Sequence, residues 1–345
     1  MSPPDWARVY ADFAKKRVRI FYAGGTIGMQ HGKQGLEPAP DLFSRIKPLL
    51  PSCWLDSEFA ELFFTERTPL LDSSAMNAGD WFALAAELRN EEKHFDAFIL
   101  LQGTDTLAWT ASALDCLLAD FSRPLLLTAA QKPLGVHQSD ALDNLLFTLE
   151  QAISLQHTGI FISFNQQLLP ATRTRKFDSQ QANAFVALPP TEPASPTIFP
   201  LNFTPTQLQH LATNFRPRLL RLPLIPGMND AWLAEHIQDL DGLLLEGLGS
   251  GNTPPLPAFF HHLKQLQLQG VLVGLISQCW QGGVTHDYAA SNALYQAGVI
   301  QLGEMTPEAA ETRLTCLLAG VFLDQIKLDD VQKHWPIKNK TSPFM

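Results

Sequence analysis

The chain has 345 residues, 46% hydrophobic and 17% charged, which excludes a disordered polypeptide and gives room for two domains with sizeable cores. Its net charge of −9, with no Lys/Arg cluster, argues against a nucleic-acid binder. Cys53, Cys116, Cys279 and Cys316 have neither C-x-x-C spacing nor a companion His cluster, so they suggest reduced thiols rather than a zinc site or disulfide framework. The first twenty residues carry Asp5, Arg8, Asp12, Lys15 and Lys16, without a signal-peptide apolar stretch. No segment reaches the ~18 consecutive apolar residues of a membrane span, and the chain reads as cytoplasmic.

In chain order, short apolar runs predict strands at 18–23, 59–64, 97–102, 124–130 and 159–164. Helical periodicity between them marks 79–93, 106–119 and 140–153; in the first, Trp81, Leu84, Ala85 and Leu88 share one face. A proline- and threonine-dense stretch, 188–207, follows and reads as a linker. Strands at 218–225, 242–248 and 270–277 then alternate with helices at 230–237, 257–268 and 306–320. The expected fold is α/β with two domains, a larger N-terminal one (1–187) and a smaller C-terminal one (217–345), joined by a linker over 188–216. Each domain carries a mainly parallel sheet flanked by helices.

Two apolar runs end in glycine-threonine turns: "FYAGGTIGM" (21–29) and "LLQGTDTLAWT" (100–110). In open α/β sheets, ligands bind at the carboxyl ends of strands, where both turns fall. Glycine allows a sharp turn and close approach, and Thr26 and Thr104 then offer hydroxyls. Asp105 stands beside the start of the helix at 106–119. Taken singly, either turn is also the pattern of an ordinary helix N-cap. The first lacks the full G-x-G-x-x-G spacing of a dinucleotide fingerprint.

Taken together, "YAGGTIGM" and "LLQGTDTLAWTASAL" resemble the two signatures of the bacterial-type L-asparaginases. "TPLLDSSAMNAGDW", "LTAAQKPLGVHQSDALDN" and "GVTHDYAASNALYQAGVI" match in type and order, so the likeness runs from about residue 18 to about 320. Met29 and "DSS" resemble the cytoplasmic, type I branch. The resemblance implies that Thr26 is a nucleophile giving an acyl-enzyme, with Thr104, Asp105 and Lys176 as a second hydroxyl and its proton-handling partners. It implies that Ser73, flanked by Asp72 and Ser74, holds the α-carboxylate of L-asparagine, that Asp105 holds its α-ammonium, and that backbone near Ala130 meets the amide. No metal or organic cofactor is implied, and a homodimer or homotetramer is. Unaided, "RTRK" at Lys176 reads as a solvated basic run, Ser73-Ser74 as a helix cap, and Asp140 with Asn144 as helix-surface polar residues.

The chain departs from the pattern in two places. Relatives of this branch carry a tyrosine in the loop after the nucleophile; ten residues past Thr26 this chain has Leu36. None of its four tyrosines, Tyr10, Tyr22, Tyr288 and Tyr295, lies in that loop, whose Gly32 and Gly35 suit a lid. Some type I relatives bind effector asparagine through an arginine; here Glu246 takes that place and Arg175 replaces a small polar residue, while Cys279 matches. The expectation is that such allostery is lost or altered. The alternatives to an asparaginase are an inactive amino-acid-binding relative, or one acting on glutamine or another amide.

Overall fold

The computed structural model describes residues 15–32, 35–55, 60–154, 158–188, 199–285 and 294–336. The chain divides into two compact units, Met1–Ala187 with Thr204–Gln209, and Leu188–Phe203 with His210–Met345.

The first unit begins with β1 (Lys16–Gly24), a hairpin of β2 (Met29–Gly32) and β3 (Gly35–Pro38), and the short helices α1 (Leu42–Ile46) and α2 (Ser52–Leu55). Then follow β4 (Ala60–Leu71), α3 (Ala78–Glu91), β5 (Ala97–Leu101), α4 (Leu107–Leu117), β6 (Pro124–Thr128), α5 (Ala141–Ser154) and β7 (Gly159–Phe164). The unit closes with β8 (Gln167–Pro170), β9 (Thr174–Lys176) and β10 (Phe185–Ala187). Its main sheet has the order β4-β1-β5-β6-β7-β8, parallel except for the final β7–β8 pair.

Composition explains the layering. β5 and β6 are buried at every position, as befits strands covered on both faces. Ala141, Leu145, Leu149 and Ala152 recur along α5 at helical spacing and pack against Val18, Ile20, Tyr22, Ile99, Leu101 and Leu126. α3 starts at a reciprocal cap: Asn77 Oδ1 accepts from Gly79 N at 2.9 Å, and Asp80 Oδ2 accepts from Asn77 N at 3.0 Å. β1 is followed by β4 on one side of it, whereas β5, β6 and β7 extend the sheet on the other. Such a reversal, here at the carboxyl ends of β1 and β5, is where open α/β sheets bind their ligands.

The second unit holds β11 (Leu219–Pro223), α7 (Asp230–His236), β12 (Gly242–Gly247), α8 (Pro257–Leu268), β13 (Leu272–Ser277), β14 (Ile300–Gln301), α9 (Pro307–Phe322) and α10 (Leu328–His334). Its four strands form one wholly parallel sheet in sequence order. Leu243, Leu245, Phe259, Leu263, Val273 and Leu275 belong to its core. Trp335, fully buried, donates from Nε1 to Ala310 O at 2.9 Å and so ties the residue after α10 to α9. Glu246 is not a free carboxylate: Arg221 Nε lies 3.1 Å from it, and Arg221 Nη1 lies 3.3 Å from Glu311.

Some elements lie beyond the sequence expectations. α6 (Pro205–Asn214) occupies part of the stretch expected as a linker, 188–216; residues 189–198 of that stretch lie outside the described residues. Its proline sits in the first turn, where no helical N–H bond is lost, and Thr204 N donates to Gln207 Oε1 at 3.0 Å. β4 continues past the expected 59–64 because its register with β1 runs on to Tyr22↔Glu66 and Gly24↔Leu71. The matched segment 283–300 is described only outside 286–293. Among the described residues, no helix is long and apolar enough to cross a membrane, and no cluster of His, Cys, Asp and Glu is placed to hold a metal ion.

Candidate active site

β1 ends on Gly24, and Gly25 follows it, because nothing larger fits at either position. Both have positive φ, 126° and 86°. A Cβ on Gly24 would strike the backbone of Leu71, and one on Gly25 would strike the backbone of Gly103. The first glycine-threonine turn is therefore wedged between the ends of β4 and β5. Thr26 opens a short 3-10 turn, in which Gly28 N donates to Gly25 O at 3.1 Å. The Thr26 side chain is partly exposed and has no hydrogen bond among the described residues.

The second turn is tightly organised. Thr104 is 6% exposed, and its Oγ1 accepts from Lys176 Nζ at 2.8 Å. The same ammonium nitrogen lies 2.7 Å from Asp105 Oδ1. Lys176 arrives from far along the chain: β9 pairs antiparallel with β10, Phe185 standing opposite Lys176. The ring of Phe185 meets Phe164 edge-on at 5.0 Å and anchors that ribbon to the sheet. Lys176 is thus part of the cluster and not a solvated basic run.

The third contribution comes from the end of β4. Asp72 Oδ1 accepts from both the backbone N and the Oγ of Ser74, each at 2.9 Å, so these two side chains hold each other. Ser73, 4% exposed, presses instead on the second turn: a Cβ on Gly103 would strike its Oγ. Thr106 Oγ1 donates to Ser73 O at 2.9 Å.

Ala130, fully buried, follows β6. Its loop is braced by two residues that read as helix-surface polars in the sequence. Asp140 accepts from Gln131 N and Lys132 N, both at 2.9 Å. Asn144, 2% exposed, donates to Ala129 O at 3.1 Å and accepts from Asn165 N at 2.9 Å. Leu134 N donates to Ile27 O at 3.1 Å, which joins this loop to the Thr26 turn. In the sequence this brace shows as the i,i+4 spacing of Asp140 and Asn144 at the end of the matched segment 127–144.

The segment after Thr26 is a hairpin. Leu36 lies on β3 opposite His31 of β2 and is 43% exposed. Arg45 Nη2 donates to Gly28 O at 2.8 Å and to Ala39 O at 3.0 Å, so one guanidinium holds both roots of the hairpin. Tyr22 lies beneath it, where a Cβ on Gly28 would meet its hydroxyl. Burial pushes the Tyr22 hydroxyl pKa up to about 12; nearby Arg45 opposes that shift and Glu66 adds to it.

The structure therefore gathers Thr104, Asp105 and Lys176 by direct hydrogen bonds, seats Ser73 and Gly25 on Gly103, and bonds the loop after Ala130 to the Thr26 turn. Among the described residues Lys176 has no hydrogen bond to Thr26. The groups comprise one partly exposed hydroxyl without a hydrogen bond among the described residues, a second hydroxyl bound to an amine, a carboxylate and a serine turn, a set of the kind needed for acyl transfer on a zwitterionic substrate.

Known proteins resemble the chain over most of its length. Residues 17–197 match the family model "Asparaginase, N-terminal", and residues 219–326 match "Glutaminase/Asparaginase C-terminal domain". L-asparaginase 1 of Escherichia coli is 34% identical over 88% of this chain and 92% of its own length. The crystal structure of L-asparaginase I from Vibrio cholerae superposes with a TM-score of 0.76 at 28% identity, covering 95% of this chain and 98% of that one. One component of a Glutamyl-tRNA(Gln) amidotransferase from Sulfolobus acidocaldarius is 25% identical over 90% of this chain and 73% of its own length. With both family domains matched in order and a 34% identical relative spanning most of its length, the chain belongs to the asparaginase family and is an amidohydrolase.

Proposed function

We propose that the chain hydrolyses L-asparagine to L-aspartate and ammonia, with Thr26 as nucleophile. Thr26 Oγ1 attacks the side-chain carboxamide carbon, an ester forms as the C–N bond breaks, and the nitrogen leaves as ammonia after gaining a proton. Water then cleaves the ester and restores the hydroxyl. Lys176 and Thr104 serve the proton transfers; an amine accepts a proton only in its neutral form. Asp105 takes the α-ammonium, and Ser73 with the N–H groups of the 72–74 turn takes the α-carboxylate. Backbone at Ala130 meets the amide, and turn N–H groups receive the oxyanion, each worth about 3 kcal/mol.

The observation that carries this reading is the Lys176 amine bridging the Thr104 hydroxyl and the Asp105 carboxylate, beside a turn whose Gly25 backbone touches Gly103. The relatives named L-asparaginase support the choice of substrate. We place the protein in the cytoplasm as a homodimer or homotetramer, with asparagine as its small-molecule partner. The decisive experiment is ammonia release by wild type, Thr26→Ala and Thr104→Ala. Each variant should lose activity by at least about a hundredfold, and full activity in both would end the proposal.

A second reading has its own observation. Leu36 puts an apolar side chain on the hairpin after the nucleophile. A chain that binds aspartate or asparagine tightly in a calorimeter yet releases no ammonia would be a binding relative instead.

A further inference from the structure

We infer that Thr106 is a positioning residue for Ser73, and through it for the substrate's α-carboxylate. The inference rests on the asparagine reading above. Thr106 stands at the N-cap of α4, where a threonine hydroxyl ordinarily accepts a hydrogen bond from the first helical turn. Here it makes no cap bond. Its Oγ1 donates to Ser73 O at 2.9 Å, joining residues 33 apart in sequence. The local capping role has given way to a tertiary link between the turns after β4 and β5.

Ser73 is otherwise held lightly along its own turn. Its carbonyl accepts one local bond, from Met76 N at 3.1 Å. Asp72 and Ser74 bond each other and leave Ser73 to be placed from outside. Two features of the β5 turn do so: Gly103, which leaves room for the Ser73 side chain, and Thr106, which holds the carbonyl. The β5 turn is itself anchored, since Gln102 Nε2 and Trp81 Nε1 both donate to Thr110 Oγ1, at 3.1 and 3.2 Å. Thr106 thus fixes the spacing between the group that takes the α-carboxylate and Asp105, which takes the α-ammonium. Loss of its hydroxyl frees the serine turn while leaving Thr26, Thr104 and Lys176 in place. Substrate binding suffers, and the chemical step does not.

The test uses the full chain as wild type, Thr106→Val, Thr106→Ser, Ser73→Ala and the Thr106→Val/Ser73→Ala double variant. Ammonia release from L-asparagine gives kcat and KM, and calorimetry gives Kd for L-aspartate. Thr106→Val should raise KM and Kd roughly tenfold while kcat stays within about threefold. Thr106→Ser, which keeps the donor, should stay near wild type. In the Ser73→Ala background, which keeps the carbonyl that Thr106 holds but lacks the hydroxyl placed through it, Thr106→Val should cost less than it does in the wild-type background. Unchanged KM and Kd in Thr106→Val, or equal effects in both backgrounds, would overturn the inference. Thr106→Ala supplies the same comparison if the valine variant does not fold. A wild type that binds aspartate but hydrolyses neither asparagine nor glutamine overturns the hydrolase reading alone, and the Kd series still decides Thr106. A wild type that does neither overturns both.

Discussion

At the scale of single residues, the hydrogen bonds of the candidate site converge on one lysine. Lys176 Nζ touches Thr104 Oγ1 and Asp105 Oδ1 at once, so it fixes a hydroxyl and a carboxylate in one arrangement. Lys176→Met keeps much of the apolar stem and removes the charge. The expected outcome is a loss in kcat of roughly 10²–10⁴-fold with the fold retained, checked by ammonia release and circular dichroism. Leu36→Tyr is the converse experiment. A hydroxyl on the exposed hairpin strand should raise kcat at least about tenfold if its absence limits turnover, and an unchanged rate would show that another group does that work. The two glycine-threonine turns were plain in the sequence because each needs glycine for a backbone reason that composition displays. Thr106 and Asn144 were not, since a threonine at a helix start and an asparagine on a helix look the same whether they cap, face water or bond across the molecule.

At the scale of elements, long apolar runs were legible and short polar ones were not. β5, β7 and α8 fall within a residue of their expected bounds because burial on both faces, or along one stripe, leaves a periodic trace. The β7–β8 reversal left little. Asn165 and Gln166 make the two-residue turn with φ of 47° and 60°, a shape usually announced by Asn-Gly. β9 has only three residues, too few for any period, yet it delivers Lys176. In the second unit the strands are aligned at their starts by an ion pair: Arg218 donates to Asp241 from its backbone N at 2.7 Å and from Nη2 at 2.8 Å, which holds the Asp241 carboxyl below the usual carboxylate range. A lowered folded pKa means that this contribution is present above the unfolded value of about 3.9 and is lost as pH falls through the folded one. The gap in thermal midpoint between wild type and Asp241→Asn should therefore be full near pH 6 and close progressively below about pH 4. A gap that is constant across that range would show that the charge plays no part.

At the scale of the whole molecule, alternation of strand and helix sufficed for the class of fold, because parallel pairing demands crossovers that the sequence cannot hide. It did not foresee the helix α6 within the stretch expected as a linker, since proline in a first turn and proline in a loop look alike until the cap is known. Assembly belongs to this scale too. The chain weighs 38.2 kDa, and light scattering of the purified protein should return at least twice that mass at micromolar concentration, whereas a monomer that hydrolyses asparagine at full rate would contradict the proposed homo-oligomer.

The meeting of Gly25 with Gly103 has one more consequence. No side chain stands between Gly25 and Gly103, so the separation of the loops that bear Thr26 and Thr104 is set there by main chain against main chain. Trimming or enlarging aliphatic groups in the sheet interior can therefore lower the melting temperature while the gap between the two hydroxyl-bearing loops stays the same. Thermal tolerance and the spacing of these two loops can accordingly change independently, with a pair of glycines as the gauge of the second.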